Sequence, residues 1–454
     1  MGLLVLMTAI PSFDFGPFDY KKIDLLSEVK PSEDSEQLDD ELDFDMASNP
    51  DLSELPPEEK VIKSDSIDES ASPCKPGVTC IEDFSEGKKG LGTFLQALSE
   101  ARDGKGTVRI AFYGDSFIEG DVFCGAVRDT LQTIFGGRGV GFVPITSRVT
   151  GFRNTIKHAF DDWRTYSIIG NVDSTTQVDL GPAGYCFKPG FENWVEYKVS
   201  KQRYLRDFAL MKLYYKNPGK STMYYTINDT ISGASILKTS RNLREWKMEN
   251  RDAKAIEFQF EDADSLEIYG ASFEDTHGVY VDNFALRGNS GVALDNIPDK
   301  MFREFNQYRD YKLIFLQYGL NVIRDDSARY KWYAEKMIRV IGKLKKNFPK
   351  ANIVLLSVSD RSTNKAGRYK TERSIPALRN TQRYIAQKTG IAFWDLYEAM
   401  GGEDSMVKFV SSRPALAAKD YTHLTFKGGK KLASQLVKSL LYELEKYEKE
   451  QTIQ

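Results

Sequence analysis

Apolar positions along this chain repeat with two different periods, and the switch between them divides it into parts. In "VRIAFY" (108–113) β-prone residues run almost unbroken, which predicts a buried strand. The next stretch, "DVFCGAVRDTLQTIF" (121–135), spaces its apolar residues three and four apart and predicts a helix, with another before the strand over 90–101. Between 155 and 264 helical spacing nearly vanishes. Short β-rich runs separated by turn residues replace it, among them "WVEYKV", "FALMKLYY", "STMYYTI", "AIEFQF" and "SLEIYG". This stretch predicts an inserted β-sandwich. Beyond it come strand 278–286, helix 298–308, strand 312–319, helix 328–347, strand 352–358, helix 373–389, strand 391–396 and a last helix over 428–448. Strands separated by helices of this size predict a parallel sheet in a three-layer α/β domain. The insertion splits that domain into 74–154 and 265–454.

The first residues fit neither pattern. "MGLLVLMTAIPSF" is apolar but too short to span a bilayer, and it lacks the basic start of a signal peptide. Residues 1–14 are expected to be the remnant of an export signal or membrane anchor, an ordinary hydrophobic start being the alternative. Residues 15–73 are acidic and poor in aromatics and predict a disordered spacer. Within it, 31–70 carries a net charge of −13, which leaves +10 on the rest of a 454-residue chain whose total is −3. A mildly basic body favours an anionic polymer or surface. No cluster of Lys and Arg interleaved with aromatics argues for nucleic acid. Cys74 and Cys80, in "SPCKPGVTC", can close as a disulfide in an oxidising compartment or remain exposed thiols. Their spacing is not that of a zinc site. Pairing of Cys124 and Cys186 stays open.

Candidate chemistry starts at "GDS" (114–116), which places Ser116 at a strand-to-helix junction, the edge where open α/β sheets bind ligands. A solvated turn capped by serine is the plainer reading of that triplet. A serine nucleophile needs a base, usually histidine, and there are three. His158 and His277 lie near the insertion boundaries in contexts that suggest no catalysis, although His277 could lie near a cleft. His423 stands just before the last helix, with Asp420 three residues earlier, where a carboxylate can reach the imidazole Nδ1. An acyl-transfer site also needs oxyanion donors. Gly288 follows the strand over 279–286, and Gly319 and Asn321 follow that over 312–318. Singly, each reads as an everyday turn residue.

Taken in order, Gly-Asp-Ser, a strand-end Gly, Gly-x-Asn and Asp-x-x-His resemble the blocks of the SGNH (GDSL) hydrolases, over 108–150 and 278–448. The resemblance implies a flavodoxin-like three-layer fold, Ser116 as nucleophile, His423 as base and Asp420 as its orienter. It also implies an oxyanion hole of the Ser116 and Gly288 N–H groups and the Asn321 side chain, a structural Asp115, and no metal or organic cofactor. Many members have Asp where this chain has Val322. An insertion between the serine and glycine blocks looks like the arrangement of peptidoglycan O-acetylesterases, whose inserted sandwich resembles a carbohydrate-binding module. Its aromatics, Trp194, Tyr197, Tyr214, Tyr224 and Trp246, can stack on sugars, but most are expected in the core. The expectation is therefore an exported, periplasmic or envelope-bound esterase removing O-acetyl groups from a glycan. One alternative is an O-acetyltransferase of cell-surface polysaccharides, linked to a membrane-bound O-acyltransferase. A non-catalytic glycan-binding protein is the other.

Overall fold

The computed structural model describes residues 14–15, 18–19, 74–170, 178–190, 193–200, 205–323 and 329–453. Residues 1–72 form a separate unit, in which the described part is the two-residue strand pair Asp14–Phe15 and Phe18–Asp19. The expected apolar start (1–14) and spacer (15–73) thus lie almost wholly outside the described residues. Among the described residues no helix is long and apolar enough to cross a membrane.

The α/β part opens with Ile81–Asp83 (β1), then Gly92–Arg102 (α1), Thr107–Gly114 (β2) and Cys124–Phe135 (α2). After the insertion it continues through Gly278–Ala285 (β3), Asp299–Arg309 (α3), Tyr311–Gln317 (β4), Arg329–Asn347 (α4), Asn352–Leu356 (β5), Ile375–Thr389 (α5), Ala392–Trp394 (β6) and Phe426–Ile453 (α6). The strands lie in the order β3-β2-β4-β5-β6-β1, parallel except for β1 at the edge. Helices α1, α2 and α6 pack on one another, and α4 packs on both α3 and α5, so the sheet is the middle of three layers. A sheet covered on both faces needs apolar residues at consecutive positions. That is why Ile110 to Tyr113 and Leu313 to Leu316 are all buried rather than alternating.

The inserted region holds two antiparallel sheets. One runs Ser240–Glu249, Leu210–Asn217, Glu267–Glu274, Tyr185–Lys188 and Arg164–Ser167, with Gly141–Val143 added beside Glu267–Glu274. The other runs Ile231–Ile236, Thr222–Ile227, Ala255–Glu261, Trp194–Lys198 and Lys157–Phe160. Met211 and Leu213 from the first share one apolar core with Val195, Ile256 and Phe258 from the second. The sheets reach past the 155–264 read from sequence, because the strands at 141–143 and 267–274 join them.

A buried cation ties the two parts together. Arg309, at the end of α3, is fully buried. Its guanidinium donates to Asp282 on β3 (2.6 and 3.1 Å), to Ser272 Oγ (2.9 Å) and Tyr214 Oη (3.1 Å) of the antiparallel sheet, and pairs with Glu274. Tyr311 Oη on β4 donates to the same Asp282 oxygen at 2.6 Å. Glu274 also receives Arg109 at 2.8 Å and Lys212 at 3.4 Å, and these cations hold it well below the usual carboxylate range against the opposing effect of burial.

Cys74 and Cys80 form a disulfide, and Cys124 and Cys186 are buried free thiols. The five aromatics singled out in the insertion divide between core and surface, and Trp194 is half-buried outside both apolar clusters. Tyr197 and Tyr214 are buried, Trp246 packs edge-on against Phe258, and Tyr224 is exposed.

Candidate functional site

All the sequence-predicted groups except Gly288 belong to three segments at the C-terminal edge of the parallel sheet or just before α6, and Gly288 follows β3 at that same edge. β2 ends at Gly114, where a β-carbon would meet Ile118 Cδ1 at 2.6 Å and the Gln317 carbonyl at 2.9 Å, so only glycine lets the chain turn there. Asp115 is buried, and its Oδ1 accepts from the Phe117 N–H at 2.9 Å, which closes the turn and presents Ser116. The helix read from residue 121 starts later, at Cys124, because Asp121 has φ of 66°, outside the right-handed region. Its carboxylate is instead a buried knot, accepting from Arg128 (2.8 Å), Arg153 (3.0 Å), Thr155 (2.6 Å) and Asn283 (3.0 Å). That knot fixes the segment following Ser116, and sequence alone did not reveal it.

His423 reaches this serine from the far end of the chain. Its Nε2 lies 3.0 Å from Ser116 Oγ, and its Nδ1 lies 2.6 Å from Asp420 Oδ2. The other Asp420 oxygen accepts the N–H groups of Thr422 (2.9 Å) and His423 (3.0 Å). Partial burial works against ionisation of Asp420, but the hydrogen bonds from the His423 ring and the two amides outweigh it and hold the carboxyl at about 2. Two glycines make the approach possible. At Gly428 a β-carbon would sit 1.8 Å from the Leu416 carbonyl oxygen, and at Gly429 one would sit 2.1 Å from that of Val122. The start of α6 therefore lies directly on the backbone that follows Ser116.

Asn321 occupies a short turn, Leu320–Val322, after Gly319, whose φ is 140° and whose β-carbon would meet that of Val358 at 2.8 Å. Its Nδ2 donates to Asp115 Oδ2 (3.3 Å) and to the Asn289 carbonyl (3.2 Å). The amide expected as an oxyanion donor is thus oriented by the carboxylate expected to be structural. Among the described residues the N–H groups of Ser116 and Gly288 donate to no protein acceptor, which leaves both for a ligand. Val322 packs against the main apolar core.

His158 and His277 lie elsewhere. His158 is stacked on Tyr197 (centroids 4.7 Å) and bonds the Ile145 carbonyl at 2.9 Å; burial pushes its pKa down to about 3. His277 precedes β3, at the opposite edge of the sheet from Ser116, so it is remote from the site. Among the described residues no group of three or more His, Cys, Asp or Glu could hold a metal ion.

Burial raises the Asp115 carboxyl to about 7, although the Phe117 amide, His423 and Asn321 favour its charged form. A carboxyl whose folded value lies above its unfolded one binds more protons when folded. Its stabilising share is present below the unfolded value near 4 and is lost as pH rises toward about 7. The thermal midpoint of the wild type should therefore fall, relative to Asp115→Asn, as pH is raised from 4 to 7. Parallel pH curves for the two proteins would show that Asp115 does not titrate in that range.

No protein-family model matches the chain, and no curated protein matches it. Among solved structures it is similar to a peptidoglycan O-acetylesterase, at 19% identity and a TM-score of 0.65, over 81% of this chain and 99% of that one. That likeness shows the SGNH-hydrolase fold. Two weaker ones are to a family two carbohydrate esterase from Clostridium thermocellum (10% identity, TM-score 0.27, 59% and 99% of the two chains) and to an acetyl xylan esterase (16%, 0.27, 36% and 81%). At those scores neither bears on the reading that follows.

Proposed function

We propose that the chain is a serine esterase that removes O-acetyl groups from a cell-envelope glycan such as peptidoglycan. The observation that carries this reading is the hydrogen-bonded series Ser116–His423–Asp420 at the ligand-binding edge of the sheet. Ser116 Oγ attacks the ester carbonyl carbon while His423 Nε2 takes its proton. The oxyanion that forms lies against the Ser116 and Gly288 N–H groups and the Asn321 amide, which gives up one of its resting bonds to meet it. Collapse breaks the carbon–oxygen bond to the sugar, and His423 returns the proton to the departing sugar oxygen. Water then attacks the acetyl-serine while His423 takes its proton; collapse breaks the bond between the acyl carbon and Ser116 Oγ, His423 returns that proton to Oγ, and acetate leaves. Asp420 stabilises the imidazolium in both halves without itself taking a proton.

The similarity to a peptidoglycan O-acetylesterase supports an acetylated glycan as substrate. We read the two inserted sheets as a β-sandwich of the carbohydrate-binding kind. The Cys74–Cys80 bridge supports an exported chain, since such bonds persist in oxidising compartments. Tethering through the N-terminal segment belongs to the same proposal.

The experiment is acetate release from O-acetylated peptidoglycan, with mass spectrometry of protein quenched during turnover. An acetyl group on Ser116 is expected. Turnover without a Ser116 adduct, and undiminished in Ser116→Ala, would overturn the mechanism. In the same assay Asn321→Ala should lower kcat by roughly 10²–10³. A rise in KM alone would make Asn321 a binding residue.

A further inference from the structure

We infer that the glycan is anionic and that a basic hairpin, residues 362–371, receives it beside the site through Arg368 and Lys370. This rests on the esterase reading and narrows its substrate class. The hairpin strands, Ser362–Lys365 and Arg368–Thr371, are joined by Ala366 and Gly367, at φ of 51° and 80°. Two consecutive residues at positive φ make the tight turn whose twist matches paired strands. The Gly367 N–H also donates to Asn364 Oδ1 at 2.9 Å.

This arm is fixed to the turn that carries Asp420 and His423. The Tyr369 ring lies flat on that of Tyr421, with centroids 3.6 Å apart and planes 5° from parallel. The Ser362 N–H donates to the Tyr421 carbonyl at 3.1 Å. Thr371 and Asp404 exchange two further hydrogen bonds, of 3.0 and 2.7 Å. Tyr421 is held at φ of 56° and stands two residues before His423, so the hairpin stays at the rim of the site.

Pleating sorts the side chains of the arm. Tyr369 and its cross-strand partner Asn364 share the face that meets Tyr421, which puts Lys365, Arg368 and Lys370 together on the other. Lys365 stands directly opposite Arg368, an arrangement of like charges that weakens a hairpin. Lys365 is near Glu372 at 3.8 Å, but Arg368 and Lys370 are exposed and pair with no carboxylate among the described residues. Exposed Lys419 adds a further cation immediately before Asp420. Solubility is served by cations placed anywhere, and does not require like charges paired on an arm bonded to the Asp420–His423 turn. A polymer bearing carboxylates relieves that repulsion and is drawn to the site, whereas a neutral glycan gains nothing from it.

The test uses the full chain and two matched probes: chemically O-acetylated polygalacturonate, and the same polymer with its carboxylates converted to amides. Deacetylation of the acidic polymer should be roughly tenfold more efficient at low salt, with the preference lost at high salt. In Arg368→Gln/Lys370→Gln that preference should disappear while hydrolysis of p-nitrophenyl acetate is unchanged. Equal rates on both polymers, or an unaltered preference in the double variant, would overturn the inference. Absence of p-nitrophenyl acetate turnover would instead defeat the esterase reading. Binding of unacetylated polygalacturonate, measured by calorimetry, then still decides: weaker binding in the double variant supports the hairpin's role, and equal binding overturns it.

Discussion

Ser116→Ala should keep its melting temperature and lose p-nitrophenyl acetate hydrolysis by about 10⁴-fold or more, and His423→Ala should do the same. The two groups act as one unit across a 3.0 Å contact, so removing both should cost little more than removing either. Asp420→Asn should be less severe than either. It keeps the side-chain shape but replaces an acceptor held ionised at about 2 with a neutral amide. Near-wild-type turnover in Ser116→Ala would falsify the nucleophile assignment.

The second large effect is on stability. Arg309→Met keeps much of the side-chain volume but leaves Asp282 and Glu274 in the interior without the cation that lies between them. Removing one member of a buried ion pair costs about 3–5 kcal/mol, because the remaining charge stays desolvated. The thermal midpoint should drop by roughly 5 °C. Calorimetry showing a change below about 2 °C would mean that the two acids take up protons or water at little cost. Adding Asp282→Asn to Arg309→Met should recover part of the loss, since one uncompensated charge is then gone.

Much of the site was legible because its chemistry sits in short stretches at element boundaries. Ser116 ends an apolar strand and His423 precedes an amphipathic helix, so period and motif agreed. What stayed hidden lacked a periodic signal or gave a misleading one. Asp121 opens the run read as a helix, yet it has a left-handed backbone and pairs with Arg128 and Arg153. Arg309 lies just past the helix read over 298–308 and carries no sequence signal, and the structure shows it buried. The hairpin at 362–371 is polar on both faces, so no alternation marks its strands. The limits of the insertion were blurred for the opposite reason. Glu267–Glu274 and Gly278–Ala285 are both β-rich and only a short turn separates them, although one belongs to the antiparallel sheet and the other to the parallel one.

Ser116 and His423 are 307 residues apart in the chain, with the whole insertion between them. At ordinary ribosomal rates of about 5–20 residues per second, roughly 15–60 s separate the synthesis of the two. The two antiparallel sheets can pair as they emerge, because their strands lie close in sequence, whereas the serine must wait for a segment 307 residues further on. On the proposed mechanism, a growing chain is therefore inert toward esters until residue 423 has been made and folded back on Ser116. A chain stopped before His423 would hold the strands of all the main sheets and lack the proposed base.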